Sequence, residues 1–205
     1  MKGNRSKMLR NRVAQEAALL LYTAQEKEYK QAKQRASETL GVRVLPSNLE
    51  VAEELDKIAE DREGSQRKEL ILRMRKEAKQ VMETLKEFNP LLVGSVWRGT
   101  ARQNSDIDIH TFSEDNQQVV EKLQKHNYKI NRSEWRSVTK NGKKEASFHI
   151  HFTLPSGDGV EVVVQSPERV GQLERCETYG DIKTGLSLRQ LTRTLEENPL
   201  QKFVP

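Results

Sequence analysis

LLVGSVWRGTARQNSDIDIHTF, Leu91 to Phe112, is the stretch on which the reading of the chain turns. It opens on a short apolar run, breaks at Gly94-Ser95, passes through a polar link and resumes as Ser105-Asp106-Ile107-Asp108-Ile109. Side chains of an extended segment alternate between faces, so Ile107 and Ile109 point to one side and Asp106 and Asp108 to the other. Two carboxylates so close repel unless a cation lies between them. Carboxylate oxygens suit a hard ion, and Mg²⁺ takes one or two protein carboxylates and completes its shell with water and substrate phosphates. Upstream, Gly94 lets a phosphate approach the backbone, and Ser95 adds a hydroxyl beside the freed amide hydrogens. The competing reading is a surface hairpin whose acids are simply solvated.

Gly94-Ser95, ten intervening residues and then Asp106-Ile107-Asp108-Ile109 resemble the signature of the polymerase-beta-like nucleotidyltransferase superfamily, a glycine-serine turn ahead of an Asp-x-Asp strand. The string GSVWRGTARQNSDIDI is similar to that of the small, minimal members, and the resemblance runs from about Leu91 to Gln165. It implies a small mixed or antiparallel nucleotidyltransferase sheet flanked by helices, residues 89–205 with a C-terminal helix; helical periodicity adds a partly basic helical region, residues 1–88, packed on it, for an α+β fold. It implies transfer of a nucleoside monophosphate from a nucleoside triphosphate, ATP being the expected donor, to an acceptor hydroxyl with Mg²⁺ (or Mn²⁺). Asp106 and Asp108 would hold the ions. Glu161, flanked by Val160 and Val162, matches the position of the family's third acid, catalytic and metal-binding, although aspartate is commoner there; Asp158, in a Gly-flanked turn, is the alternative. Gly94, Ser95, Arg98, Arg102 and Ser105 would bind the nucleotide, with Gly99-Thr100 widening the anion-binding turn. His149 and His151 share a strand face and line the sheet beside this site, face solvent or bind a transition metal.

The remaining composition narrows the partners. At 205 residues, with 35% hydrophobic and 32% charged residues, the chain fits one domain with an extension or two small ones. No apolar run approaches the roughly 18 residues that span a bilayer, and MKGNRSKMLRNR lacks a signal-peptide core, so the expectation is a cytoplasmic protein with no membrane partner. Cys176 is the only cysteine, which excludes an intramolecular disulfide. Residues 1–46 hold ten Lys/Arg against four acids, whereas residues 47–63 hold two against seven. Such a basic end suits a polyanion. Arg10, Arg12, Lys27, Lys30 and Lys33, interleaved with Tyr22 and Tyr29, are the candidate RNA contacts. Arg5, Lys7, Arg10 and Arg12 crowd the helix end that favours anions, so helix stability does not explain them. RNA is therefore the first-choice acceptor, ahead of a hydroxyl on a partner protein (an AMPylating or antitoxin-type enzyme) and a small molecule. A non-catalytic RNA-binding protein on the same fold is the rival from another class. No GxxxxGK[ST] string is present, which argues against a P-loop NTPase.

Around this centre the pattern predicts one helix over residues 5–38 and a capping box of Ser47 and Glu50 opening another. Gly64 should end that helix and Ser65 start the next. Leu70, Met74, Ala78, Val81, Leu85 and Phe88 form its apolar stripe, leaving Arg67, Lys68, Arg75, Lys76 and Lys79 as an opposite basic face. Pro90 stops the helices, the link 96–104 contains a helical turn, and Asp115 starts a helix buried through Val119, Val120 and Leu123. Residues 128–165 read as an antiparallel meander with a hairpin at Asn141-Gly142. Residues 167–185 read as irregular with a brief helix, and Ser187 with Gln190 caps a last helix to Glu197. The tail QKFVP either packs on the domain or docks elsewhere.

Overall fold

Helical spacing of small and apolar residues builds the first part of the protein. The computed structural model describes residues 2–140 and 143–205, with side chains at 6–137 and 146–205. Contacts divide the chain into two units, residues up to Arg67 with Arg175–Ile182 and Pro205, and Lys68–Glu174 with Lys183–Val204. In the first unit, α1 (Lys2–Tyr22), α2 (Tyr29–Thr39) and the start of α3 (Asn48–Thr84) bury Val13, Ala17, Leu20, Leu21, Ala32, Ala36, Val51 and Leu55 together. The single helix expected over residues 5–38 is thus two helices. The chain leaves α1 through Ala24, which takes a left-handed φ of 55°, while the Thr23 hydroxyl donates to Leu19 O at 2.8 Å. A left-handed alanine costs about 1–2 kcal/mol, and packing α1 on α2 through alanines offsets it. No glycine or proline marks the break.

The Ser47–Glu50 box forms as expected, with Ser47 N donating to Glu50 Oε2 at 2.6 Å and Glu50 N to Ser47 Oγ at 3.1 Å. At Gly64 (φ 51°, ψ −123°) the backbone of α3 leaves helical geometry, where a helix stop was expected. Arg67 is not on an exposed basic face. It is buried, ion-paired with Asp56 and Glu60, and so ties the turns on either side of Gly64.

The second unit is built on a six-stranded sheet in the order β3-β4-β5-β2-β1-β8. Its strands are β1 (Leu91–Val93), β2 (Ile107–Phe112), β3 (Ile130–Lys140), β4 (Lys143–Thr153), β5 (Gly159–Gln165) and β8 (Leu186–Ser187); the two-residue strands β6 (Glu174–Arg175) and β7 (Ile182–Lys183), which follow β5 in the chain, pair with each other as a separate sheet. The β3-β4-β5 meander is antiparallel as expected, but β5 joins β2 in parallel, so the sheet is mixed. The predicted Asn141-Gly142 turn lies outside the described residues. Ile107, Ile109, Ile150, Phe152, Val160, Val162 and Val164 point to one face and share a core with Met74, Ala78, Val81, Met82 and Leu85 of α3 and Val119 and Leu123 of α5 (Asn116–Lys125). The apolar stripe of α3 therefore belongs to the sheet's unit. Asp115 caps α5, and Ser187 with Gln190 forms the box that opens α6 (Leu188–Glu197).

Arg75 corrects the expected basic face a second time. It is fully buried and donates to Val96 O (3.1 Å), Trp97 O (2.9 Å), Pro199 O (2.7 Å) and Gln201 O (2.8 Å). Burial draws its pKa down to about 10. The Phe203 ring lies 5.7 Å from its guanidinium, and Phe203 N donates to Arg98 O at 2.9 Å, so the tail packs on this unit. Gly99 belongs to the same joint: a Cβ there would meet Gln201 O at 2.8 Å, which explains the glycine by the tail's approach instead of by an anion. Among the described residues, no helix is long and apolar enough to cross a membrane. Arg75→Ala removes a charged donor from four carbonyls and should lower the unfolding free energy in urea by about 3 kcal/mol or more. Arg75→Lys should recover only part of that loss. A change of only about 0.5 kcal/mol, the size seen at ordinary surface positions, would mean the tail docks without it.

Candidate active site

The face of the sheet opposite the core carries the acids, and its register brings them together. Asp108 on β2 pairs with Glu161 on β5, Glu161 with His151 on β4, and His151 with Arg132 on β3. On its other side Asp108 pairs with Val93 of β1. Asp106 precedes β2 on the same alternating face. These side chains share a face because Ile107, Ile109, Val160 and Val162, the residues alternating with them, are held in the core.

Two glycines are pressed onto the two aspartates. Gly94, φ 69°, opens α4 (Gly94–Arg98), and a Cβ on it would collide with the Asp108 carboxylate. A Cβ on Gly159 would likewise collide with Asp106 Oδ1. Gly94 was singled out in the sequence; Gly159 was not, although it lies two residues before Glu161 and so on the same strand face.

Burial pushes the Asp108 carboxyl up to about 7, with the charges of Glu161 and then Asp106 adding to the rise. Asp106 is raised by burial and by Glu161, opposed by His151. Glu161 is itself held: Oε1 lies 2.7 Å from His149 Nδ1, 3.3 Å from Arg136 Nη1 and 3.5 Å from His151 Nε2. The alternative third acid, Asp158, is engaged elsewhere, receiving Arg73 Nε and Nη2 at 2.9 Å each. Arg136 and its tether Glu134, 2.7 Å from Arg136 Nε, are site neighbours that sequence reasoning missed. Their alternation with Trp135 on β3 was the available signal.

The remaining predicted residues divide. Ser95 lies in α4 beside Gly94, and its carbonyl accepts from Thr100 N at 3.0 Å. Ser105 closes the loop before Asp106, its hydroxyl accepting from Arg102 N at 3.0 Å. Arg98 is not turned to the acids. It is buried, donates to Phe203 O at 2.8 Å and lies 4.3 Å from the Trp97 ring. In the first unit, Arg10, Arg12, Lys27 and Lys30 are exposed, whereas Lys33 Nζ donates to Asn48 Oδ1 at 2.7 Å. Tyr22 has the Arg62 guanidinium 5.3 Å from its ring. The described side chains do not include Arg5.

The raised Asp108 carboxyl sets a pH dependence. Its folded pKa lies above its unfolded value near 3.8, so the folded state binds the extra proton and metal-free stability rises as pH falls through about 7. Asp108→Asn should therefore stabilise the metal-free protein at pH 8, by at most about 4 kcal/mol. The gain should shrink below pH 7 and vanish near pH 4. Urea unfolding of both proteins across this range in chelator checks it; a gain independent of pH would contradict the assignment.

The model of a domain of unknown function, DUF4269, matches residues 76–172, which include all three acids. No curated protein matches the chain. Among solved structures it is similar to a cytoplasmic RNA terminal U-transferase, at 18% identity and a TM-score of 0.34, over 52% of this chain and 31% of that one. It is also similar to a structure of the GLD-2/RNP-8 complex, at 13% identity and a TM-score of 0.33, over 56% of this chain and 40% of that one. The chain thus spans less than half the length of either.

Proposed function

We propose that this protein is a metal-dependent nucleotidyltransferase that moves a nucleoside monophosphate from a nucleoside triphosphate to an acceptor hydroxyl. The observation that carries the reading is the convergence of Asp106, Asp108 and Glu161 on one sheet face, with glycines packed against both aspartates. Asp106 and Asp108 fit Mg²⁺ or Mn²⁺, because their oxygens are hard donors whose mutual repulsion a divalent ion removes. When bound, such ions orient the triphosphate and lower the pKa of the attacking hydroxyl.

The chain's own residues supply the rest. The acceptor oxygen forms a bond to the α-phosphorus as the α–β bridge bond breaks, and pyrophosphate leaves with the electron pair. Glu161, beside Asp108, takes the acceptor proton or completes the metal shell. Gly94 and Ser95 offer backbone and hydroxyl donors to the β- and γ-phosphates, and Arg102 offsets charge on the leaving group. Arg98 donates to Phe203 O, so Arg102 is preferred over it for this role. The exposed Arg10, Arg12, Lys27 and Lys30 favour RNA as acceptor.

Purified protein given Mg²⁺, each labelled triphosphate in turn and total RNA should place label on RNA. Asp106→Asn/Asp108→Asn should cut the transfer by about a hundredfold or more with an unchanged circular dichroism spectrum. Full transfer by the double variant would sink the proposal, and label on protein instead of RNA would reassign the acceptor. RNA affinity should fall steeply between about 50 and 200 mM salt. A flat response removes the basic residues from the acceptor site.

A further inference from the structure

Glu161 lies between the aspartates and two histidines, and the histidine side carries chemistry that the proposed reaction does not use. His149, His151 and Glu161 each offer one ligand atom, and these atoms all lie within 4.8 Å of one another. Two donors about 2.1 Å from a tetrahedral ion stand about 3.4 Å apart. The two nitrogens, at 2.7 and 3.5 Å from Glu161 Oε1, bracket that spacing. The rings are near-parallel, with centroids 6.4 Å apart, so both face the carboxylate from adjacent positions of one strand. Ser147 Oγ sits 2.8 Å from His149 Nε2, the ring nitrogen turned away from Glu161. An outer partner of this kind fixes the tautomer and ring orientation of a ligating histidine.

The geometry points to a transition-metal site formed by His149 Nδ1, His151 Nε2 and Glu161, adjoining the hard-ion site of Asp106 and Asp108 through Glu161. Imidazole donors suit Zn²⁺ and its neighbours in place of Mg²⁺. Two histidines and one glutamate also leave a fourth position open, as in catalytic zinc centres. Arg136 opposes the ion: Nη1 is 3.3 Å from Glu161 Oε1 and Nη2 3.5 Å from His151 Nε2. Glu134 draws its guanidinium outward, with Oε1 2.6 Å from Nη2. An incoming ion displaces Arg136 towards Glu134, and Arg132 on the same strand adds a second cation near His151. Binding at this site does not depend on nucleotide transfer. If the proposed activity also holds, Glu161 is shared between this ion and the acceptor side of the reaction.

The test uses untagged full-length protein stripped with chelator and titrated with Co²⁺, whose visible d–d absorption intensifies in four-coordinate nitrogen and oxygen sites. One equivalent should give that band, and Zn²⁺ should abolish it. The band should disappear in His149→Gln/His151→Gln and persist in Asp106→Asn/Asp108→Asn, with folding of each checked by thermal melting. Arg136→Gln should tighten Co²⁺ binding, and Ser147→Ala should weaken it by about tenfold or more. A wild-type spectrum no different from aqueous Co²⁺ overturns the site. So does a band that survives loss of both histidines or follows the aspartates.

Discussion

The parallel pairing of β2 with β5 is the constraint on which the candidate site depends. It sets Asp108 in a buried place directly beside Glu161, and burial first, with the Glu161 charge second, pushes the Asp108 carboxyl up to about 7. That rise corresponds to about 4 kcal/mol at most. On the opposite face the same two strands bury Ile107, Ile109, Val160, Val162 and Val164, each worth about 1.5–3 kcal/mol. The apolar face outweighs the acidic one. Sheet and helices therefore hold the carboxylates close before any ion binds, a preorganisation that an isolated segment would not keep.

A second constraint fixes the loop that carries Gly94. Arg75 joins the carbonyls of Val96 and Trp97 in α4 to those of Pro199 and Gln201 in the tail. The tail thus holds the start of the site, through a charge that is buried but hydrogen-bonded at each of its three nitrogens. Arg98 faces the same joint, which is why its positive charge is spent on Phe203 and not on a phosphate.

Much of this was legible beforehand, for definite reasons. Capping boxes at Ser47–Glu50 and Ser187–Gln190 are local and closed as read. Alternation in Asp106–Ile109 and Val160–Val164 fixed which side chains share a face. Other features rest on partners remote in sequence. Nothing local marks Ala24 as a break, since alanine continues helices well and only the packing of α1 on α2 makes the turn worthwhile. Arg67 and Arg75 look like solvent-facing positions because a helical pattern says which residues oppose the apolar stripe, not what covers them.

The sequence by itself therefore determined the chemistry available: a glycine-serine turn, two aspartates on one face, a glutamate flanked by valines and two histidines on an alternating strand. Periodicity is a local property of the backbone, so it could be read directly. Tertiary structure decided which of these meet. It set Glu161 beside Asp108 and paired Asp158 with Arg73, turned Arg98 and Arg75 towards the tail, and brought His149 and His151 to the Glu161 carboxylate. Those outcomes follow from strand order and register, which depend on long-range packing and leave no mark in any short stretch of residues.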